Sequence, residues 1–461
     1  MPEANDQSPQ PDDEFREAGD AVMAALMART GEAAPQPRLQ PTRRAMELLG
    51  DPQASYPIIH ITGTNGKTST SRITESILRA YGLRTGMMTS PHLRRLNERI
   101  VIDGEPITDE ALAVNWNDIQ PYLKIVDAEL EAKGEPALTF FEALTVLAYA
   151  SFADAPVDVA VIEVGMGGEW DSTNVADGQV AVFTPIALDH TARLGSSIAE
   201  IARTKSGIIK PAASVVTAVQ SEEGQAELER AAELTESSLA TEGEEFELLS
   251  STVAVGGQLI SVRGLSGTYE DQFLPLYGTH QAHNAATAIA AVESFLGGGS
   301  QMLVGDLLAE GLGQVTSPGR LQLIGIEPTV LADAAHNPHG ASALADALGA
   351  FFGFDEIAIV VGILADKDAK GIIQALDGVA TRFHVTRAES DRSLSVDDLA
   401  DQVETWVGER KTHRFTDAES ALAVAREWAG EAPRRGVVVT GSITLVGEAI
   451  GIAEAREWMK S

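Results

Sequence analysis

The sequence predicts a two-domain α/β protein built on mostly parallel sheets, and three observations carry that reading. First, 461 residues exceed what one hydrophobic core usually serves. Second, an apolar run from Ile58 to Ile61 enters Gly63-Thr64-Asn65-Gly66-Lys67-Thr68, and a helical stretch from Ser69 to Tyr81 follows. That strand–turn–helix order belongs to a parallel sheet with crossover helices. Third, a separate alternation of strands and helices begins near Thr329.

Residues 1–38 are rich in Pro, Asp, Glu and Ala and read as an acidic, partly disordered N-terminal extension. Within it Phe15 to Arg29 can be helical, whereas Met1 to Asp13 reads as disordered. Gly82 stops the helix that starts at Ser69. Val157 to Val164 is apolar almost throughout, as a strand buried on both faces should be, and Val180 to Phe183 is a further strand. Glu222 to Glu247 reads as an acidic, Ala-rich helix. Val253 to Val262, with Gly256-Gly257 inside it, reads as a hairpin followed by another strand, and Ala282 to Leu296 as a helix ended by Gly297-Gly298-Gly299. The second alternation has strands at Val330 to Ala332, Ile357 to Val361, Phe383 to Thr386 and Val437 to Thr440. Ser317-Pro318-Gly319-Arg320 marks the boundary, giving a first α/β domain at 39–316 and a smaller, Rossmann-like one at 317–461.

Composition excludes several functions. There are no cysteines, so disulfides, thiolate chemistry and cysteine-ligated zinc are out. The polar, acidic start has no signal-peptide pattern, and no apolar run approaches the roughly 20 residues that span a bilayer. A soluble cytoplasmic protein is expected. The formal net charge of -33 repels nucleic acid and anionic membranes, so neither is an expected partner. Most of these carboxylates simply solvate the surface. An acidic protein that handles phosphates must gather its few cations and metal ions at one site.

The glycine-rich turn is the sharpest local signal. Its glycines let backbone N–H groups converge on phosphate oxygens, and the helix start adds its positive dipole end. Lys67 would neutralise terminal phosphates and Thr68 would offer a hydroxyl to magnesium. The usual spacing asks for glycine at position 61, where Ile61 stands, so the loop is a shorter form. A plain Gly-rich turn explains Gly63 and Gly66 but has no use for Lys67-Thr68. The first domain is therefore of the P-loop type.

An ordered set of segments then carries a resemblance. His60-Ile61-Thr62-Gly63-Thr64-Asn65-Gly66-Lys67-Thr68, Thr89-Ser90-Pro91-His92-Leu93, Glu98-Arg99-Ile100 and Thr139-Phe140-Phe141-Glu142 come first. Glu163-Val164-Gly165-Met166-Gly167-Gly168, Asp171-Ser172-Thr173-Asn174, Asp189-His190 and Lys205-Ser206-Gly207-Ile208 follow. His283-Asn284-Ala285, Ser317-Pro318-Gly319-Arg320, Asp333-Ala334-Ala335-His336-Asn337-Pro338 and Asp366-Lys367-Asp368 complete it. The set resembles the Mur ligase superfamily, and within it folylpolyglutamate synthase and the bifunctional dihydrofolate synthase. Only about sixty residues precede the loop, too few for the nucleotide-sugar domain of cell-wall Mur ligases.

The resemblance implies a ligase that joins L-glutamate to dihydropteroate or reduced folates through an acyl phosphate, with ATP consumed, and a monomer is expected. It implies ATP binding by Thr64, Asn65, Gly66, Lys67, Thr68, Asn284, Arg320, Asp333 and His336. Helix capping for Asn284 and Asp333 and an interdomain salt bridge for Arg320 are the plainer alternatives. It implies two magnesium ions and a monovalent cation, with metal ligation by Thr68, Ser90, Glu163, His190 and Lys205. His190 is a less typical magnesium ligand and suits a second metal site better. Lys205 would be carbamylated, which needs an unprotonated amine. Lys67, His190 and Lys205 are thus the candidate catalytic residues, and Thr139, Phe140, Phe141, Glu142, Trp170, Asp171 and Ser172 the candidate acid-substrate residues. Phe140 and Phe141 are adjacent, so one belongs in the core. Lys367 and Arg392 can hold glutamate or phosphates, or be surface charges. Two positions depart from the family pattern: Glu169 stands where Arg is frequent and Thr204 where Glu is. Two alternatives stay open here, a Mur-type ligase for another acid and a nucleotide-gated regulatory protein.

Overall fold

The computed structural model describes residues 11–31 and 36–460. Eight strands form the first sheet: β1 (Ile58–Thr62), β2 (Thr85–Met88), β3 (Ile100–Ile102), β4 (Glu105–Pro106), β5 (Val159–Glu163), β6 (Val180–Phe183), β7 (Ser214–Thr217) and β8 (Ser238–Thr241). Their order is β4-β3-β2-β5-β1-β6-β7-β8, parallel from β2 through β8 and antiparallel at β3 and β4. Side chains alternate across this sheet. Ile59, Ile61, Val159 and Val161 pack on one face with α3 (Lys67–Ala80) and, as described below, a long C-terminal helix of this half. Ile58, Ala160 and Ile162 pack on the other, against α4 (Asp109–Ala132) and α5 (Phe140–Asp154).

The start of the chain joins that second face. Helices α1 (Pro11–Met27) and α2 (Gln40–Leu48) supply Val22, Leu26, Ala45 and Met46 to the same core, and Arg29 pairs with Asp127 at 2.9 Å. From Pro11 to Met27 the segment read as an extension is thus packed helix, because its apolar residues recur at helical spacing. Of the disorder expected for Met1 to Asp13, the last three residues fall instead within α1, and the first ten lie outside the described residues.

After β6 come α6 (Thr191–Leu194), α7 (Ile198–Ser206) and α8 (Glu222–Leu234). The predicted helix over Glu222 to Glu247 therefore ends early. Glu236 adopts φ 54°, and the Thr235 hydroxyl bonds back to the Ala231 carbonyl, so the helix closes and the chain turns into β8. A three-stranded antiparallel sheet follows, β9 (Glu247–Ala254), β10 (Gly257–Arg263) and β11 (Thr268–Leu274), in the order β11-β10-β9. Helix α9 (Thr279–Gly297) covers the first face together with α3, and α10 (Gly305–Gly313) packs beside them.

The C-terminal half carries a six-stranded sheet, referred to below as the second sheet, with β12 (Gln322–Ile326), β13 (Thr329–Ala332), β14 (Glu356–Val361), β15 (Arg382–Val385), β16 (Thr412–Arg414) and β17 (Arg435–Thr440). Its order is β12-β13-β17-β14-β15-β16, with β12 alone antiparallel. Helices α11 (Pro338–Phe351), α12 (Ala369–Asp377) and α13 (Val396–Val407) cover one face; α14 (Ala418–Gly430) and α15 (Ile443–Ala455) cover the other. Among the described residues no helix is long and apolar enough to cross a membrane. Loops leaving the carboxyl ends of β1, β5, β6 and β13 all line one cleft, as expected for open α/β sheets.

Candidate active site

The cleft has a volume of about 1310 Å³ and is lined from both sheets, by Gly63 to Thr68 on one side and Arg320 and Asp333 to Asn337 on the other. Gly66 carries φ +89°, and a Cβ there would come 2.6 Å from the Asn284 side-chain oxygen. Glycine is required both by the backbone and by that close approach. Lys67 opens α3 and is turned back onto the loop, donating to the carbonyls of Gly63 at 3.2 Å and Thr64 at 3.0 Å. Lys205, at the end of α7, donates to the same Gly63 carbonyl at 2.7 Å. Two lysine amines, Lys205 buried and Lys67 half-buried, thus meet at one loop.

Burial and the neighbouring Lys67 charge bring Lys205 down to about 7, so a substantial share of the amine is unprotonated at neutral pH. Burial likewise lowers Lys67, against the opposing pull of Glu163 and Asp189. Glu163 ends β5 with its carboxylate buried and raised by that burial. It accepts the Thr68 hydroxyl at 3.1 and 3.0 Å and the Ser90 N–H at 3.4 Å. A carboxylate and two hydroxyl-bearing residues at one point form a hard oxygen donor set that suits magnesium. Among the described residues there is no group of three or more His, Asp and Glu side chains able to hold a metal. Magnesium commonly relies on one or two carboxylates plus phosphate oxygens and water, and this donor set fits that habit.

Asp189, in the loop that follows β6 of the first sheet, is the hub that side chains of the second sheet's half reach. Its carboxylate accepts Lys367 at 3.1 Å and the Asn337 amide at 3.4 Å, and it lies 3.9 Å from both His190 and His336. Burial would raise it, but His190, Lys367 and His336 outweigh burial and hold it below the usual carboxylate range. His190 sits at φ 49°, a conformation that costs a non-glycine residue and tends to mark functional sites. Burial brings His190 and His336 each to about 4, so both rings are neutral. Asn337 caps α11 and also donates to Asn65 at 3.0 Å, tying the phosphate loop to the second sheet.

On the acid side, Phe140 and Phe141 separate as neighbours on a helix must. Phe140 is 2 % exposed, lies under the Arg99 guanidinium and does not reach the cleft; its assignment to substrate binding is corrected to core. Phe141 lines the cleft with Trp170. Thr139 and Glu142 line it too, but they form the capping box of α5, and the Glu142 carboxylate also pairs with Arg38 at 3.0 Å. Asp171 accepts the N–H of Met166 and of Thr173, and Ser172 bonds the Thr145 hydroxyl at 2.6 Å.

Comparison with known proteins follows the same division. Residues 61–292 match the Mur ligase middle domain and 319–443 the Mur ligase glutamate ligase domain. The dihydrofolate synthase/folylpolyglutamate synthase of Mycobacterium tuberculosis is 44% identical over 440 residues, covering 90% of each chain. That of Bacillus subtilis is 34% identical over 370 residues, 80% of this chain and 85% of the relative. The chain belongs to the folylpolyglutamate synthase/dihydrofolate synthase family of Mur ligases. The solved structure of the M. tuberculosis folylpolyglutamate synthase complexed with ADP superposes with a TM-score of 0.91 at 42% identity, covering 95% of this chain and 99% of that one. The E. coli FolC complex with DHPP and ADP gives 0.82 at 29% identity, covering 98% and 100%. Membership makes the chain an ATP-dependent ligase.

Within this ligase the other candidates are placed as follows. Thr64, Asn65, Thr68, Ser90, Glu163, His190, Lys205, Asn284, Arg320, Asp333 and His336 all border the cleft. Asp333 is committed to backbone, accepting the N–H of Leu321 and Ala335, so it organises the turn that bears His336. Lys367 is interior, whereas Arg392 sits half-exposed at the rim and pairs with Asp366 at 2.8 Å. The Glu169 side chain is exposed and outside the cleft lining, and the Thr204 hydroxyl bonds back to the Glu200 carbonyl. Sequence reasoning gave no role to Asp189 or Asn337. Each sat inside a matched motif beside a residue that was given one.

Proposed function

We propose that this ligase adds L-glutamate to dihydropteroate or reduced folates. Thr64 to Thr68, with Asn284, hold ATP, and Lys67 with Arg320 neutralises its terminal phosphates. Magnesium, held by Thr68, Ser90 and Glu163, would screen the charge that develops as two anions meet. His190 and a carbamate on Lys205 would complete a second cation site; a buried amine that gives up its proton near neutrality supports the carbamate. Phe141 and Trp170 offer faces on which a pterin stacks, leaving the carboxylate to reach the γ-phosphate.

A carboxylate oxygen attacks the γ-phosphorus and ADP leaves. The glutamate amine then attacks the acyl carbon, the amide forms and inorganic phosphate departs with the oxygen that made the first bond. Lys367, opposite the phosphate loop, is placed to hold an incoming carboxylate. The observation that carries this reading is the meeting of Lys67, Thr68, Glu163 and Lys205 at one loop, with Arg320 and Lys367 across the cleft. We place the enzyme in the cytoplasm as a monomer.

The test is phosphate release by the purified protein with ATP, glutamate and either dihydropteroate or tetrahydrofolate, with the glutamylated product weighed by mass spectrometry. Release that needs both acid and amino acid is expected. Release with neither would point to a nucleotide switch instead.

A further inference from the structure

Strand β1 delivers the phosphate loop, and its side chains at alternate positions, His60 and Thr62, share the face opposite Ile59 and Ile61. Both reach the segment that follows β5. The Thr62 hydroxyl donates to the Gly167 carbonyl at 2.8 Å. His60 Nε2 lies 2.9 Å from the Thr173 hydroxyl, and that hydroxyl donates to Asp171 Oδ1 at 2.6 Å. A hydroxyl has one proton, and here Asp171 takes it. The Thr173 oxygen must therefore accept from His60, which fixes the imidazole as the Nε2–H tautomer. Asp171 Oδ2 in turn accepts the Met166 N–H at 2.8 Å. His60 and Thr173 are fully buried and Asp171 nearly so, so no solvent competes along the relay.

The other ring nitrogen, His60 Nδ1, is buried with no hydrogen-bond partner in the protein. A buried acceptor left unmade is a net cost that an aliphatic side chain would avoid. The imidazole is thus a poor choice for stability alone, and its Nε2–H is the feature that remains to explain it. Burial holds the ring neutral, down to about 3, so the tautomer persists across the working pH range.

We infer that His60 is a positioning residue for the acid substrate: through Thr173 it aims the Asp171 carboxylate, which fixes the Gly165–Met166 backbone against Phe141 and so shapes the wall that Phe141 and Trp170 present. A Cβ on Gly165 would run into the Phe141 ring, so the backbone and that ring are in direct contact. The far end of the segment is anchored separately. Glu169 N–H donates to the Thr204 carbonyl at 2.8 Å, and the Asn174 amide donates to the carbonyls of Glu169 and Gly207, each at 3.0 Å. Breaking the relay therefore loosens the acid wall and leaves the Lys205 helix held. This inference rests on the function proposed above.

Steady-state kinetics of four single variants and one double test it. His60→Leu and Thr173→Val remove the relay; His60→Gln keeps an N–H near the Nε2 position, and Thr173→Ser keeps the hydroxyl. Relay-breaking variants should raise KM for the acid about tenfold, with KM for ATP and kcat at saturating acid changed by less than about twofold. The Gln and Ser variants should stay near wild type. The double variant H60L/T173V should be no worse than the poorer single, because one break already cuts the relay. Equal rises in both KM values, a fall in kcat alone, or multiplied effects in the double variant would overturn the inference. If H60L fails to fold, T173V keeps the imidazole and carries the test, with its thermal unfolding followed in parallel. A wild type that does not glutamylate the acid would refute the proposed function. An active wild type with unmoved T173V kinetics would refute the inference alone.

Discussion

The two sheets bring unlike equipment to one cleft. At the carboxyl ends of β1 and β5 the polar groups are already bonded to each other: Thr68 to Glu163, and Lys67 and Lys205 to the Gly63 carbonyl. The second sheet contributes side chains that reach across, Lys367 to Asp189 and Asn337 to Asn65. The first arrangement is preorganised, with short internal bonds in a buried setting, which is where electrostatic stabilisation is most effective. The second is a set of polar bridges between two separately packed cores, the kind of contact that can break and reform as a cleft closes. A chain with a net charge of -33 concentrates Lys67, Lys205, Arg320 and Lys367 where these two halves meet. Its acidic surface and its phosphate chemistry are thereby kept apart.

That contrast ranks the expected effects of substitution. Lys67→Ala on the preorganised side should lower kcat by about 10³-fold or more while the unfolding midpoint holds, since it removes charge and no core. A variant with near-normal kcat would end the role given to this lysine. Lys205→Ala should cost about 10²-fold, and short carboxylic acids should restore part of the activity if a carbamate is what was lost. Undiminished activity without added acid would count against it.

At the bridges between the two halves, Asp189→Asn should cost about tenfold in kcat/KM and lower Tm by a few degrees, because it leaves the buried Lys367 without its carboxylate. If the loss equalled that of Lys67→Ala, the distinction between a rigid and a bridging side would be wrong. Phe141→Ala should raise the acid KM several-fold with little change in stability. Phe140→Ala should do the reverse, losing about 3–5 kcal/mol of stability with normal turnover per folded molecule. Kinetics combined with urea unfolding separates the pair, and similar profiles for both would undo the assignment of one ring to the core.

The same contrast explains what was legible in the sequence. The phosphate loop stands on a glycine turn and Glu163 on a strand end, so both were readable from local signals, whereas Lys205 looks like an ordinary helix lysine and was singled out only through the resemblance. Strands such as β2 (Thr85–Met88) and β7 (Ser214–Thr217) were not, because four buried residues in a parallel sheet show no alternation. Asp189 was also hidden. Its weight comes from Lys367, His336 and Asn337, which are distant in sequence and meet it only in the folded chain. For Phe140 and Phe141 the sequence said that the two must diverge, and the packing of α5 under Arg99 decided which turned inward.

The central claim is that acid and triphosphate meet in this cleft so that a carboxylate oxygen is transferred to phosphorus. Dihydropteroate or its folate counterpart labelled with ¹⁸O in the carboxylate, incubated with ATP and glutamate, tests it directly. Each released phosphate should carry one labelled oxygen whenever the donating carboxylate oxygen is labelled. Unlabelled phosphate alongside a glutamylated product would contradict the acyl-phosphate account.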